Sequence, residues 1–166
     1  MAGAFVSIDI DLDTRAAAAG LDRQAAALEH PQPLMDDIAQ YLYNSSRERF
    51  RTQQAPDGTP WAPLNPEYQR QKAKNQDKIL TLDGYLSGTL VAQASDEEAV
   101  VGSNLVYAAI QQFGGTIKPR TARALRVGGR FLSSVTLPAR PYLGTSADDL
   151  AEINDLVEDY LAAAAS

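Results

Sequence analysis

Apolar positions recur along most of this chain at helical or strand spacing, and the breaks fall where proline and glycine cluster. Phe5-Val6-Ser7-Ile8-Asp9-Ile10-Asp11-Leu12 alternates in part, as a half-buried strand does. Asp13 or Thr14 then stands where a helix cap is expected, ahead of an alanine-rich helix from Arg15 to about Leu28. His30-Pro31-Gln32-Pro33 interrupts it, because proline disfavours helical backbone in the residue before it, and a second helix starts near Pro33. Within that helix Leu34, Ile38, Tyr41 or Leu42, Ser45 and Phe50 recur at spacings of three to five and predict one mostly apolar face. Arg47, Glu48, Arg49 and Arg51 fall largely on the other.

Between Gln53 and Pro66 the periodicity gives way to turn formers. Pro56-Asp57-Gly58 predicts a turn, and Pro60, Pro63 and Pro66 exclude regular helix or central strand. Trp61, the only tryptophan, reads as a core plug that pins this loop; the alternative is an anchor in a subunit contact, where tryptophan is enriched. Glu67 to Asp77 is polar and basic-leaning and is expected to be exposed, and Leu80 to Leu86 predicts a short helix starting near Thr81. Gly88 to Ala94 and Glu98 to Gly102 read as strands joined by an acidic turn at Asp96-Glu97. Leu105 to Phe113 predicts a helix ending in Gly114-Gly115, where glycine takes the left-handed conformation of a cap. Ala124 to Val127, a Gly128-Gly129 turn and Arg130 to Leu137 predict a long hairpin. Ser146 or Thr145 caps the last helix, with Asp148 and Asp149 in its first turn and Leu150, Ile153, Val157, Tyr160 and Leu161 as its buried stripe. The sum is an α+β fold, expected as one domain over residues 1–166: N-terminal helices, a small antiparallel sheet with a long β-hairpin, and a C-terminal helix packed against the sheet.

Composition narrows the function classes. A chain of 166 residues is expected to bury roughly 70% of the surface its unfolded form exposes. With no cysteine there are no disulfides, thiolate metal sites or catalytic thiols. No apolar run approaches the roughly 20 residues that span a bilayer, and no basic region followed by an apolar block opens the chain, so a soluble chain, not exported by the usual route and not in a membrane, is expected. The net charge of −6 opposes indiscriminate DNA binding, yet no Asp or Glu lies between Ala99 and Ala147, where Lys118, Arg120, Arg123, Arg126, Arg130 and Arg140 all fall. That basic segment is a solvated hairpin paired with acidic helices elsewhere in the chain, a subunit contact, or a lining for passing DNA. Asp148, Asp149, Glu152, Asp155, Glu158 and Asp159 read as the solvated face of the last helix rather than a cation site, since the alternating ligand loop and glycine of a calcium hand are missing. His30 is the only histidine and has no nucleophile motif to serve, and neither a phosphate loop nor a dinucleotide fingerprint is present. Asp57, Glu67 and Asp83 are the carboxylates from which a hydrolase pair would have to be drawn, but nothing in the sequence brings them together. No catalytic residue, metal or cofactor is expected.

The order Pro56-Asp57-Gly58, Trp61-Ala62-Pro63-Leu64, Ile79-Leu80, Gly84-Tyr85-Leu86, Tyr107-Ala108-Ala109, Gln112-Phe113-Gly114-Gly115 and Arg140-Pro141-Tyr142-Leu143-Gly144 resembles the phage virion morphogenesis (tail completion) family of Mu-like contractile-tailed phages, from about Met35 to Leu161. The family often has His where this chain has Gln111, and an amide donates and accepts but does not titrate. The resemblance implies a non-enzymatic structural protein of the virion. It implies copies arranged as a homo-oligomeric ring, a hexamer or dodecamer, at the head-tail junction, joining the capsid connector to the tail. Other neck, connector and tail proteins would be partners, with packaged DNA in the channel a further contact. The alternatives are a tail terminator capping the tube and a phage-encoded cell-wall hydrolase. The expected contact residues are Trp61, Arg120, Arg123, Arg126 and Arg130 on one side and Asp148, Asp149 and Glu152 on the other, because a ring needs two different complementary patches.

Overall fold

The computed structural model describes residues 13–127 and 129–166; the strand expected over Phe5 to Leu12 lies outside them, as does Gly128. Helix α1 (Arg15–Glu29) buries no residue, whereas α2 (Gln32–Thr52) carries Leu34, Ile38, Ala39 and Phe50 inward and opens with Pro33 in its first turn. Strands β1 (Leu90–Ala94) and β2 (Ala99–Ser103) form an antiparallel hairpin, Ala94 opposite Ala99, whose face packs on α2. The other side of α2 meets α6 (Ala147–Ala165), and α1 lies along α6. The last helix therefore packs on helices and not on a sheet, which corrects the expectation. Its stripe is correspondingly shallow: Ile153, Val157, Tyr160 and Leu161 are only half-buried, and Leu150 is exposed.

Two short helices depart from expectation, one lying where no helix is expected and one starting later than its sequence predicts. Asn65 accepts from the amides of Glu67 and Tyr68 and so caps α3 (Pro66–Gln71), with Pro66 as an opener rather than a breaker. The helix expected from Thr81 begins four residues later as α4 (Tyr85–Gly88), because Leu80 and Gly84 have positive φ and keep Thr81 to Asp83 in a bend. Lys72, expected to be exposed, is buried and donates to the carbonyls of Asn75, Lys78 and Thr81, which ties this segment into a tight loop.

Helix α5 (Ala108–Phe113) leads into an excursion from the body. Strand β3 (Gly115–Ile117) pairs with β6 (Val135–Leu137), and beyond them β4 (Leu125–Val127) pairs with β5 (Arg130–Leu132). The long hairpin thus exists as an arm of two successive short ladders, and the run Arg130 to Leu137 is two strands because Ser133 and Ser134 leave the ladder. With β1 and β2, the described residues contain three two-stranded ladders in an α+β arrangement.

The core gathers Phe50, Trp61, Leu86, Leu90, Ala108 and Tyr142. Trp61 meets Phe50 edge-on at 5.5 Å between ring centres, and Tyr142 lies 5.3 Å from Phe50 on a tilted plane. Such pairs add about 0.5–1.5 kcal/mol each to the area they bury. This core is small for the chain. A compact monomer of 17.9 kDa exposes about 8,000 Å² by size scaling, yet this chain exposes 11934 Å². With about 1,900 Å² set aside in each state for residues 1–12, the unfolded form would expose about 24,000 Å² against about 10,000 Å² folded, so somewhat under 60% of the surface is buried, short of the roughly 70% expected from length.

Candidate assembly surface

A buried ion pair fixes the start of α6. Arg49 and Asp149 meet at 2.6 Å between Nη2 and Oδ2, with side chains 7% and 5% exposed. Arg49 also donates through Nη1 to the carbonyls of Tyr142 at 3.2 Å and Gly144 at 2.7 Å. Asp149 accepts from the hydroxyls of Ser45 at 2.6 Å and Tyr41 at 3.0 Å and from the Ser146 amide at 2.7 Å. Burial alone would raise the Asp149 carboxyl, but the bonds from Ser45, Ser146 and Tyr41 outweigh it and hold it at about 2. Burial, and then the Asp149 charge, push the Tyr41 phenol up to about 12. Burial presses the Arg49 guanidinium below its ordinary value, against the pull of Asp149. The sequence reading placed Arg49 on the polar face of α2 and Asp149 on a solvated face and in a subunit contact; both are inside. The signal was present in the spacing, since Arg49 follows Ser45 by one helical turn and Ile38 by three, on the same face.

The base of the arm is held by the residues that carried the family resemblance. Arg140 is buried and donates to the carbonyls of Ala62 at 2.8 Å and Pro63 at 3.0 Å, so it leaves the basic field and serves as a strut. Trp61 donates through Nε1 to the Pro141 carbonyl at 2.7 Å. Buried at 4% exposure, it is the plug and offers no exposed anchor. Gln112 accepts from the amides of Tyr142 and Leu143 and donates to the Leu143 carbonyl. Gly114 has φ of 70°, and a Cβ there would lie 2.6 Å from the Ala139 amide nitrogen and 2.9 Å from the Leu137 carbonyl oxygen. Only glycine permits the two arm strands to cross this closely. Asp57 accepts from the Thr59 amide and Gly58 donates to the Ala55 carbonyl in the expected turn, Gly84 precedes α4, Gly115 opens β3, and Gly144 accepts from Arg49. Tyr107 and Phe113 are exposed at the two ends of α5.

The arm itself carries charge outward. Lys118, Arg120, Arg123 and Arg126 are exposed, and no ion pair among the described residues involves them. Arg130 is the exception, bound to Glu67 of α3 at 2.9 Å. Register places Arg126 opposite Phe131, which is 75% exposed, whereas Val127, Arg130 and Leu132 line a groove of about 850 Å³ between the arm and the Pro63 to Leu86 segment. Gln111 also lines that groove, and its buried Oε1 has no hydrogen-bond partner. Glu67 and Asp83 share the groove, but Glu67 is paired with Arg130 and Asp83 with Lys74 at 3.0 Å; Asp57 is elsewhere, in its turn. Away from the arm, Asp148, Glu152, Asp155 and Asp159 are exposed on α6, and His30 is paired with Asp96 at 3.2 Å on the surface. Among the described residues no cluster of His, Cys, Asp or Glu could hold a metal ion, and no helix is long and apolar enough to cross a membrane.

A family model described as the phage virion morphogenesis family matches residues 12–162. The chain belongs to this family. Relatives of this virion morphogenesis protein include the Mu-like prophage FluMu G protein 2 of Haemophilus influenzae, 29% identical over 84% of this chain and 85% of the relative. The putative capsid assembly protein G of Escherichia phage Mu is 28% identical over 96% of this chain and 97% of its own length. Tail completion protein S of Escherichia phage P2 is 28% identical over 84% and 93%. No solved structure matches. In this family member Trp61, Gln112, Gly114, Arg140 and Gly144 lie where the arm, the Trp61 loop and the segment leading into α6 meet.

Proposed function

We propose that this chain is a non-enzymatic structural protein of phage virion assembly. It forms a ring at the head-tail junction that joins the capsid connector to the tail, as a tail completion or neck component. The observation that carries the assembly reading is the area: of the 11934 Å² exposed, about 10,000 Å² remains once about 1,900 Å² is set aside for residues 1–12, against the about 8,000 Å² of a self-contained monomer of this size. Surface in that excess, carried on an arm and two shallowly packed helices, is what a subunit buries against its neighbours. Membership of the family and similarity to a protein named for tail completion support this choice of assembly. The working copy is then part of the virion and is put together in the host cytoplasm, with neck, connector and tail proteins as partners. A ring of six or twelve copies could turn the basic arm toward packaged DNA.

The hydrolase reading finds less support. Glu67 and Asp83 line one groove, but each carboxylate is already paired, Glu67 with Arg130 and Asp83 with Lys74. The test is negative-stain electron microscopy of particles made when the gene is disrupted. Full heads and separate tails of normal length are expected. Overlong tails would move the assignment to a terminator that caps the tube, and normal infectious particles would overturn it.

A further inference from the structure

On α6, Asp148, Glu152, Asp155 and Asp159 follow one another at intervals of four, three and four residues. At 100° per residue they fall within about 60° of arc and form a stripe about 16 Å long. All are exposed, no ion pair among the described residues involves them, and no Lys or Arg follows Arg140. The arm presents the converse: Lys118, Arg120, Arg123 and Arg126, exposed, in a stretch without Asp or Glu. Within one chain these two surfaces do not pair, although Arg130, one strand away, does find a carboxylate on the body.

We propose that copies of this chain bind head to tail, the acidic stripe of α6 on one copy seating against the outer face of the arm on the next. This rests on the assembly reading above and specifies its contact. Two different complementary patches on one subunit make a heterologous contact, the kind that closes into rings. The area agrees. An allowance of about 1,900 Å² for the first twelve residues at full extension leaves an excess of roughly 2,000 Å². Two patches at the usual 800 Å² per partner account for most of it. Phe131, opposite Arg126 and 75% exposed, supplies an apolar anchor beside the charges, which is where interface energy concentrates.

The experiment reverses each patch separately. Arg120→Glu with Arg123→Glu and Arg126→Glu makes an acidic arm; Glu152→Lys with Asp155→Lys and Asp159→Lys makes a basic helix. All six positions are exposed, so circular dichroism, and urea midpoints at about 1 M salt where association driven by charge is screened in the parent too, should stay close to the parent's. Light scattering at about 0.1 M salt, where the screening length is about 10 Å, should find the parent multimeric and each variant at least tenfold weaker in self-association, by about the margin that salt at about 1 M produces in the parent. Mixing the two variants should restore the multimer, because alternating copies match at every contact; closure then requires an even number of copies. A monomeric parent, undiminished mass in either variant, or failure of the mixture to recover would each overturn the contact. Unchanged mass with lost binding of a double-stranded DNA probe by the acidic-arm variant would assign the arm to DNA instead. Failure here with separated heads and tails on gene disruption removes the contact and leaves the function standing; restored mixing with normal particles does the opposite.

Discussion

The Arg49–Asp149 pair is where single side chains matter most, since it joins residues 100 apart and closes α2 onto α6. Asp149→Ala leaves a buried guanidinium without its counter-charge and should cost about 3–5 kcal/mol in urea unfolding. A cost below 1 kcal/mol would mean the pair is not buried as described. The pH dependence has a defined sign. Asp149 is depressed from 3.8 to about 2, so its contribution, of the order of 2 kcal/mol, is complete above pH 4 and is lost as pH falls through 2. Tyr41 is raised from 10.0 to about 12, so its contribution is complete below pH 10 and is lost as pH rises through 12. Asp149→Asn should flatten the acid limb of melting temperature against pH and Tyr41→Phe the alkaline limb; either limb left unchanged would move the titration to another group. Gly114→Ala tests the crossing at the arm's base. Its Cβ must displace backbone at 2.6 Å, and a loss larger than the roughly 1 kcal/mol of an ordinary strained glycine site is expected.

Among elements, α6 begins with a reciprocal cap: Ser146 accepts from the Asp149 amide while Asp149 accepts from the Ser146 amide. Ser146→Ala should therefore cost about 1 kcal/mol, with the loss read as faster hydrogen exchange in the first turn of α6. Helix α1 sits at the other extreme. It buries nothing and is held by Tyr160 to the Ala27 carbonyl and Gln24 to the Leu161 carbonyl, so it should exchange well before α2. Equal protection would refute that ordering. The same contrast explains what could be read from sequence. The start of α2, the β1–β2 hairpin and the Ser146 cap rest on local signals, a proline, an acidic turn and a Ser-x-x-Asp spacing, and these are visible in a short window. Helix α3 is hidden because Pro66 reads as a breaker although Asn65 before it makes a cap. The splitting of the hairpin was hidden because the partner of Val135 is Ile117, across the whole arm, and no periodicity within the strand encodes that choice. Of the candidate contact residues, Arg120, Arg123, Arg126, Asp148 and Glu152 are on the surface as the charge pattern required, while Trp61 and Asp149 carry the polarity or aromaticity of an interface but spend it inside.

At the scale of the molecule, a small aromatic core supports a large exposed frame. Phe50, Trp61, Leu86, Leu90, Ala108 and Tyr142 all come from the body, and none lies between Gly115 and Leu137. The arm is therefore attached to the fold without being part of what stabilises it. Its base is set by Arg140, Gln112 and Gly114, all outside the β3–β6 ladder, and its one ion pair to the body among the described residues, Arg130 with Glu67, is exposed on both sides and worth little. Replacing residues 118–134 by a two-residue turn that keeps β3 paired with β6 should leave a folded protein. Its cooperative unfolding should differ from the parent's by no more than about 1 kcal/mol at matched protein concentration above 1 M salt, where association driven by charge is screened. The denaturant slope should fall by less than the fraction of chain removed, because the surface lost with the arm is largely exposed in the native state as well as in the unfolded one. A collapse of the melting transition would show instead that the arm closes the core across the groove. Retained folding with loss of the multimer at low salt would separate the two halves of the molecule by role, the body holding shape and the arm making the joint.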